Sequence, residues 1–257
     1  MRRKFLTRLA AVVGLAATSA VLLTGQASAV ANGQPAAPGT YPFAVKFTMT
    51  NIPNPNGTFR NSACSGALIA PDWVITAGHC FHDINRVPVS GPPQYQTTAT
   101  LGTVNLATAP GETRTVVDVR QSPVNDIALA KLDSPIYDIA PLVVNPSAPK
   151  VGEDLTIAGW GATSSDNPMP GTVLNTGVVG VGSVAATTIG VHGVFPSPST
   201  SACLYDSGAP YFQPIGTKLG ILVSIENNGP DCPHDQLETT ARTDIIVNWI
   251  YEQVTSG

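Results

Sequence analysis

From residue 41 to residue 242 the chain runs in short apolar stretches, each cut off by glycine, proline or asparagine. Stretches of this length suit strands and not long helices. Residues 41–49 (YPFAVKFTM) read as a strand after the Pro38-Gly39 turn, and residues 51–57 as a Pro/Asn/Gly loop. Residues 63–69 and 73–77 flank the turn Ala70-Pro71-Asp72 and predict a hairpin. Residues 81–94 form a polar loop, and 95–106 alternate weakly. Residues 113–119, 155–161, 173–184, 187–194 and 220–224 read as further strands. Residues 134–150 hold four prolines and read as a linker. Only the tail changes period: Ile245, Ile246, Trp249, Ile250 and Val254 fall on one face at helical spacing, which predicts a packed helix over 243–254.

Composition agrees with this picture. The chain has 257 residues, of which 24 are glycine and 23 proline. That accommodates one large all-β domain or two small subdomains sharing a core. Residues 1–29 carry Arg2, Arg3, Lys4 and Arg8, then an apolar run over 9–23, then Ala27-Ser28-Ala29. This is the layout of a secretory signal peptide, and the apolar run is short of the roughly 20 residues that span a bilayer. Its removal leaves nine basic against 17 acidic residues, a net charge of −8. That balance excludes nucleic acid and anionic membranes as partners. Four cysteines in an exported chain suggest two disulfides, with three possible connectivities. A zinc site from Cys64, His79, Cys80 and His82 is the rival reading, against the usual ligand spacing. No cofactor or metal is indicated.

Three stretches carry chemistry. Thr76-Ala77-Gly78-His79-Cys80 closes one apolar run, Asn125-Asp126-Ile127-Ala128-Leu129 opens another, and Cys203-Leu204-Tyr205-Asp206-Ser207-Gly208 holds a serine between aspartate and glycine. A serine hydroxyl is a weak nucleophile until a base takes its proton, and a histidine oriented by a carboxylate does this near neutral pH. The order His79, Asp126, Ser207, each in its own context, resembles the trypsin/chymotrypsin family of serine proteases. The resemblance covers nearly all of the chain after residue 29. It is not the Gly-x-Ser-x-Gly, Ser-Asp-His arrangement of α/β-hydrolases.

The resemblance implies an all-β fold of two six-stranded antiparallel barrels, over about 42–133 and 150–242, with a C-terminal helix. It implies a secreted, monomeric endopeptidase acting on protein or peptide substrates. His79, Asp126 and Ser207 would be catalytic, and the N–H groups of Tyr205 and Ser207 would form the oxyanion hole. It pairs Cys64 with Cys80 and Cys203 with Cys232. Cleavage after Ala29 would give a start Val30-Ala31-Asn32-Gly33 whose free amino group pairs with Asp206. Gly159-Trp160-Gly161 resembles the family's turn at the start of the second barrel.

The resemblance also assigns the substrate pocket. Ser224 would lie beside the triad aspartate, with Ile225 and Glu226 along the substrate backbone. Ser201 would stand at the pocket base, where an aspartate would signal a preference for Lys or Arg, and Glu238 in the pocket wall. Several positions depart from the family's pattern. Tyr205 and Ala209 replace glycines around the serine, and Glu226 would obstruct the substrate strand or face solvent. A tyrosine reaches the φ range of glycine only with strain, so the Tyr205 peptide could instead be turned away, leaving half an oxyanion hole. The alternative reading is therefore a weak or inactive homologue acting as a binding or regulatory protein.

Overall fold

A computed structural model describes residues 29–256. The leader expected over residues 1–29 lies, except for Ala29, outside them. Fourteen strands are described in chain order: β1 (Gln34–Pro35), β2 (Ala44–Pro53), β3 (Phe59–Ala70), β4 (Trp73–Ala77), β5 (Gln96–Leu101), β6 (Glu112–Gln121) and β7 (Ile127–Leu132) come first. Then follow β8 (Val143–Val144), β9 (Asp154–Gly159), β10 (Asn175–Val184), β11 (Thr188–Phe195), β12 (Pro210–Ile215), β13 (Leu219–Asn228) and β14 (Glu238–Arg242). The chain ends in helix α1 (Val247–Thr255).

The strands form two closed six-stranded antiparallel barrels, as the sequence led us to expect. The first runs β2-β3-β4-β7-β6-β5, with β5 returning to β2. The second runs β9-β10-β11-β14-β13-β12, with β12 returning to β9. Two short strands attach outside: β1 antiparallel to β10, and β8 parallel to β13. Closure removes free strand edges. Phe43, Phe47, Leu68, Trp73, Ile75, Leu101, Ile127 and Leu129 are fully buried in the first barrel; Leu155, Ile157, Val179, Val191 and Tyr211 fill the second. The barrels meet through aromatic rings. Phe212 of β12 packs edge-on against Phe43 at 5.1 Å and against Tyr41 at 5.0 Å between centroids.

The helix begins later than its apolar spacing predicts. Thr243 follows β14 and is still tied to the sheet, its N–H and hydroxyl both donating to the Val223 carbonyl. Asp244–Ile246 then form a 3-10 turn before α1. Ile246 and Ile250 are buried, with Ile245, Trp249 and Val254 half-buried against the same core. The expected loop over 51–57 is shorter than predicted, because β2 continues to Pro53 across a bulge at Met49–Ile52. Strands β12 and β14 have no counterpart in the sequence reading. The proline-rich segment after β7 crosses from barrel to barrel: Ile136 N–H donates to Pro71, Leu142 to Leu68, and Asn145 to Leu222.

Candidate active site

Antiparallel pairing of β4 with β7 sets Ala77 opposite Ile127. The residue that follows β4 and the one that precedes β7 must therefore meet at one end of the barrel. Gly78 N–H donates to the Asp126 carbonyl, His79 N–H donates to Asp126 Oδ1 at 2.7 Å, and His79 Nδ1 lies 2.7 Å from Asp126 Oδ2. One carboxylate thus holds the backbone and the ring of a single histidine. A carboxylate only accepts, so the ring hydrogen sits on Nδ1 and Nε2 is left as the acceptor. Partial burial pushes the Asp126 carboxyl up, but the His79 contacts outweigh it and leave the group below its ordinary range. Gly78 is required here, because a Cβ would stand 2.6 Å from Asp126 Oδ1 and 2.8 Å from Gln121 Oε1.

The serine loop comes from the second barrel and is clamped onto the first. Ser65 on β3 takes the Ser207 carbonyl with its N–H at 2.8 Å. Its hydroxyl donates to the Tyr205 carbonyl and accepts the Trp160 N–H. Gly208, at φ +87°, lets this contact close; a Cβ there would collide with Thr76 Oγ1 and the Ser65 carbonyl. Both expected disulfides are present, Cys64–Cys80 and Cys203–Cys232. That rules out the zinc reading, whose two thiols are consumed. His79, Tyr205 and Ser207 line one cleft of about 840 Å³. Among the described hydrogen bonds none yet joins Ser207 Oγ to the His79 ring, which is common in substrate-free sites.

Asp206 is fully buried beneath this loop. It receives N–H groups from Gly161 (2.7 Å), Cys203 (3.0 Å) and Val30 (3.3 Å). A Cβ at Gly159 or Gly161 would run into its carboxylate, which explains the Gly-Trp-Gly sequence. Burial outweighs these donors and raises its pKa to about 7. Val30 is itself fully buried and sits at φ +55°, an unusual value for a β-branched residue.

Several expected positions are corrected. Tyr205 does not avoid the conformation of glycine: it lies at φ +74°, third in the turn that Asp206 N–H closes onto the Cys203 carbonyl. That is the signature of a type II turn. Among the described residues, neither the Tyr205 nor the Ser207 N–H is given to a protein acceptor. Ser224 and Ile225 are wholly buried, and the Ser224 hydroxyl accepts from Thr240 instead of meeting Asp126. The cleft is lined by Asn227 and Asn228. The cause is a bulge: Glu226 opposes Thr240 and Asn228 opposes Thr239, so Asn227 is an extra residue that re-aims the strand end. Glu226 neither obstructs the cleft nor faces solvent. Its backbone bonds to Gly208 and Ala209, and its side chain turns inward to the Tyr211 hydroxyl. Glu238 meets the same hydroxyl. Ser201 is buried, its hydroxyl accepting the His234 N–H. Sequence reasoning missed Ser65, Tyr211, Asn227 and Asn228; only the position of Ser65 beside a paired cysteine hinted at a role.

A two-barrel fold with this cleft between the barrels is that of a chymotrypsin-like protein. A family model described as Trypsin matches residues 30–250, and the chain belongs to that family. It is 34% identical over 162 residues to chymotrypsin-like elastase family member 3B of Macaca mulatta, covering 56% of this chain and 57% of that protein. Serine protease 56 of Mus musculus is 26% identical over 256 residues, covering 89% of this chain and 39% of that one. The chain thus spans about half the length, or less, of these curated relatives. In fold it matches neuropsin, a serine protease expressed in the limbic system of mouse brain, with a TM-score of 0.68 at 21% identity over 88% of this chain and all of that one.

Proposed function

We propose that this chain is an exported serine endopeptidase, a hydrolase of protein or peptide substrates working as a monomer. The observation that carries the reading is the double hold of Asp126 on His79, at 2.7 Å to ring and backbone, at the mouth of the cleft that Ser207 lines. In this reading His79 Nε2 takes the Ser207 hydroxyl proton as Oγ attacks the amide carbonyl. Asp126 keeps the ring in that tautomer and stabilises the imidazolium. The free N–H groups of Tyr205 and Ser207 receive the oxyanion. The imidazolium then gives its proton to the leaving amine, and water hydrolyses the acyl-enzyme by the same steps.

The leader-like residues 1–29 and the two disulfides support export. Among the described residues no helix is long and apolar enough to cross a membrane. Cleavage after Ala29 would turn the Val30 N–H on Asp206 into an ammonium, an ion pair in place of a single hydrogen bond. The non-catalytic alternative rested on Tyr205, Ala209 and Glu226; the φ of +74° at Tyr205 and the inward-turned side chain of Glu226 argue against two of these three grounds.

Treatment of the secreted protein with a sulfonyl fluoride tests the reading. We expect covalent labelling at Ser207, lost in His79→Ala. Failure of the folded protein to label would overturn it.

A further inference from the structure

The first barrel's side of the cleft carries two arginines that the proposed hydrolysis does not use. Arg60 lies on β3, where Arg60, Ser62 and Cys64 share a strand face and all line the cleft. Its cross-strand partner on β2 is Ile52, while Ser62 pairs with Met49. Met49 and Ile52 are an odd number of residues apart, which in a regular strand would set them on opposite faces. The bulge between them, with Asn51 at φ +60°, brings both into the cleft lining. Arg86 comes from the loop after the histidine. That loop closes on itself: Asp83 N–H donates to the Val87 carbonyl at 3.0 Å, and Arg86 N–H to the Asp83 carbonyl at 2.9 Å. Asp83 Oδ1 also takes the N–H groups of Asn85 and Val87, both at 2.8 Å.

What the two arginines lack is a carboxylate. Arg114, Arg120 and Arg242, the other arginines among the described residues, each pair with an acidic side chain at 2.7 Å. Arg60 and Arg86 pair with none among the described residues, and both stand exposed in the cleft lining. The one carboxylate of that lining, Asp83, spends an oxygen on its own loop. Two guanidiniums against one carboxylate leave the cleft lining with a positive balance of fixed charge. The chain around it carries nine basic and 17 acidic residues once its leader is removed. A guanidinium offers a planar fork of donors that matches a carboxylate.

The position of the pair says which half of a substrate it meets. In the proposed hydrolysis the leaving amine takes its proton from His79, so the residues after the scissile bond lie on the histidine's side of the cleft. The first barrel builds that side. Ser65 N–H holds the Ser207 carbonyl, and Arg60 stands five residues before Ser65 on β3, about 17 Å away at the usual strand rise. An extended peptide covers that span in about five residues, and the arginine side chain reaches part of the way back.

We propose that Arg60 and Arg86 select peptides with an aspartate or glutamate in the second to fourth position after the scissile bond, the two guanidiniums closing on its carboxylate. The proposal rests on the endopeptidase reading and names its substrate class. It involves no covalent step.

Peptides from a digested protein mixture are treated with the secreted protein, and the residues flanking each cut are read by mass spectrometry. We expect aspartate and glutamate to be enriched after the cut and not before it. The best-cut sequence is then made with glutamate or glutamine at the enriched position. We expect kcat/KM to favour glutamate by about tenfold, since each exposed ion pair is worth up to about fivefold. The preference should shrink as salt is raised. In Arg60→Gln and in Arg86→Gln the ratio should fall by about half or more, and in the double variant to near one. Arg86→Gly, which suits the φ of +63° at that position, stands in if Arg86→Gln does not fold. No acidic enrichment, or a ratio that no variant moves, overturns the proposal while leaving the endopeptidase reading intact. Retention of a randomised peptide library on immobilised Ser207→Ala supplies an arm that needs no turnover. Acidic peptides retained there, and lost when both arginines are replaced, with no peptide cut by the unaltered protein, support the arginine pair and overturn the endopeptidase reading. Neither retention nor cleavage overturns both.

Discussion

Tyr205 is the residue at which local preference and function conflict most openly. A non-glycine residue in the left-handed region costs about 1–2 kcal/mol. Here it is held there by the Cys203–Asp206 turn, by Ser65 on its carbonyl and by the neighbouring disulfide. Tyr205→Gly should therefore stabilise the protein by about 1 kcal/mol, a rise of roughly 2–4 °C in Tm for a chain of this size. Thermal unfolding checks this, and a lower Tm would mean that packing of the half-buried ring outweighs the strain. Strain of this kind persists where the surroundings over-determine the backbone, and such places cluster at functional sites.

At the scale of elements, the serine loop is held by the Gly159-Trp160-Gly161 turn as much as by its own residues. Gly161→Ala would press a methyl group onto the Asp206 carboxylate and its N–H. We expect a loss of about 1–3 kcal/mol, the usual cost of overpacking, and a fall in peptide hydrolysis with it. Urea midpoint and kcat/KM measured together check both; a normal midpoint would show that the turn can give way. This turn was legible in the sequence, and so were the stretches around His79, Asp126 and Ser207, because each sets a polar side chain at the edge of a short, well-marked run. Strand β14 was not, since Glu238 and Thr240 are buried polar residues and read in a sequence as surface. Strand β12 was hidden by Pro210 and Pro214, which normally argue against a strand. The bulge at Asn227 left no trace either: one extra residue in a strand changes where side chains point without changing the letters.

For the whole molecule, the burial of Asp206 makes stability depend on pH. In the uncleaved chain Asp206 has a folded pKa of about 7, above its ordinary carboxylate value. The folded state then binds a proton that the unfolded state has lost. The stability this confers is full in acid and is lost as pH rises from about 4 towards 7. A free ammonium at Val30 would favour the ionised carboxylate and remove that loss. The uncleaved chain should therefore lose more of its urea midpoint between pH 5 and pH 8 than the chain beginning at Val30. Apart from the exchange of the Met1 amine for that of Val30, the groups lost with the leader (Arg2, Arg3, Lys4 and Arg8) titrate well above this range, so equal losses would contradict the pairing.

The two covalent cross-links share a placement. Neither staples a barrel wall: one anchors the histidine turn to β3, and the other anchors the serine loop to the segment after β13. A thiol reagent would thus quiet the reactive groups first and leave the barrel cores standing. Loss of turnover in a reducing buffer would report the state of these two sulfur pairs, not the melting of the protein, and thiol additives are best left out of its purification.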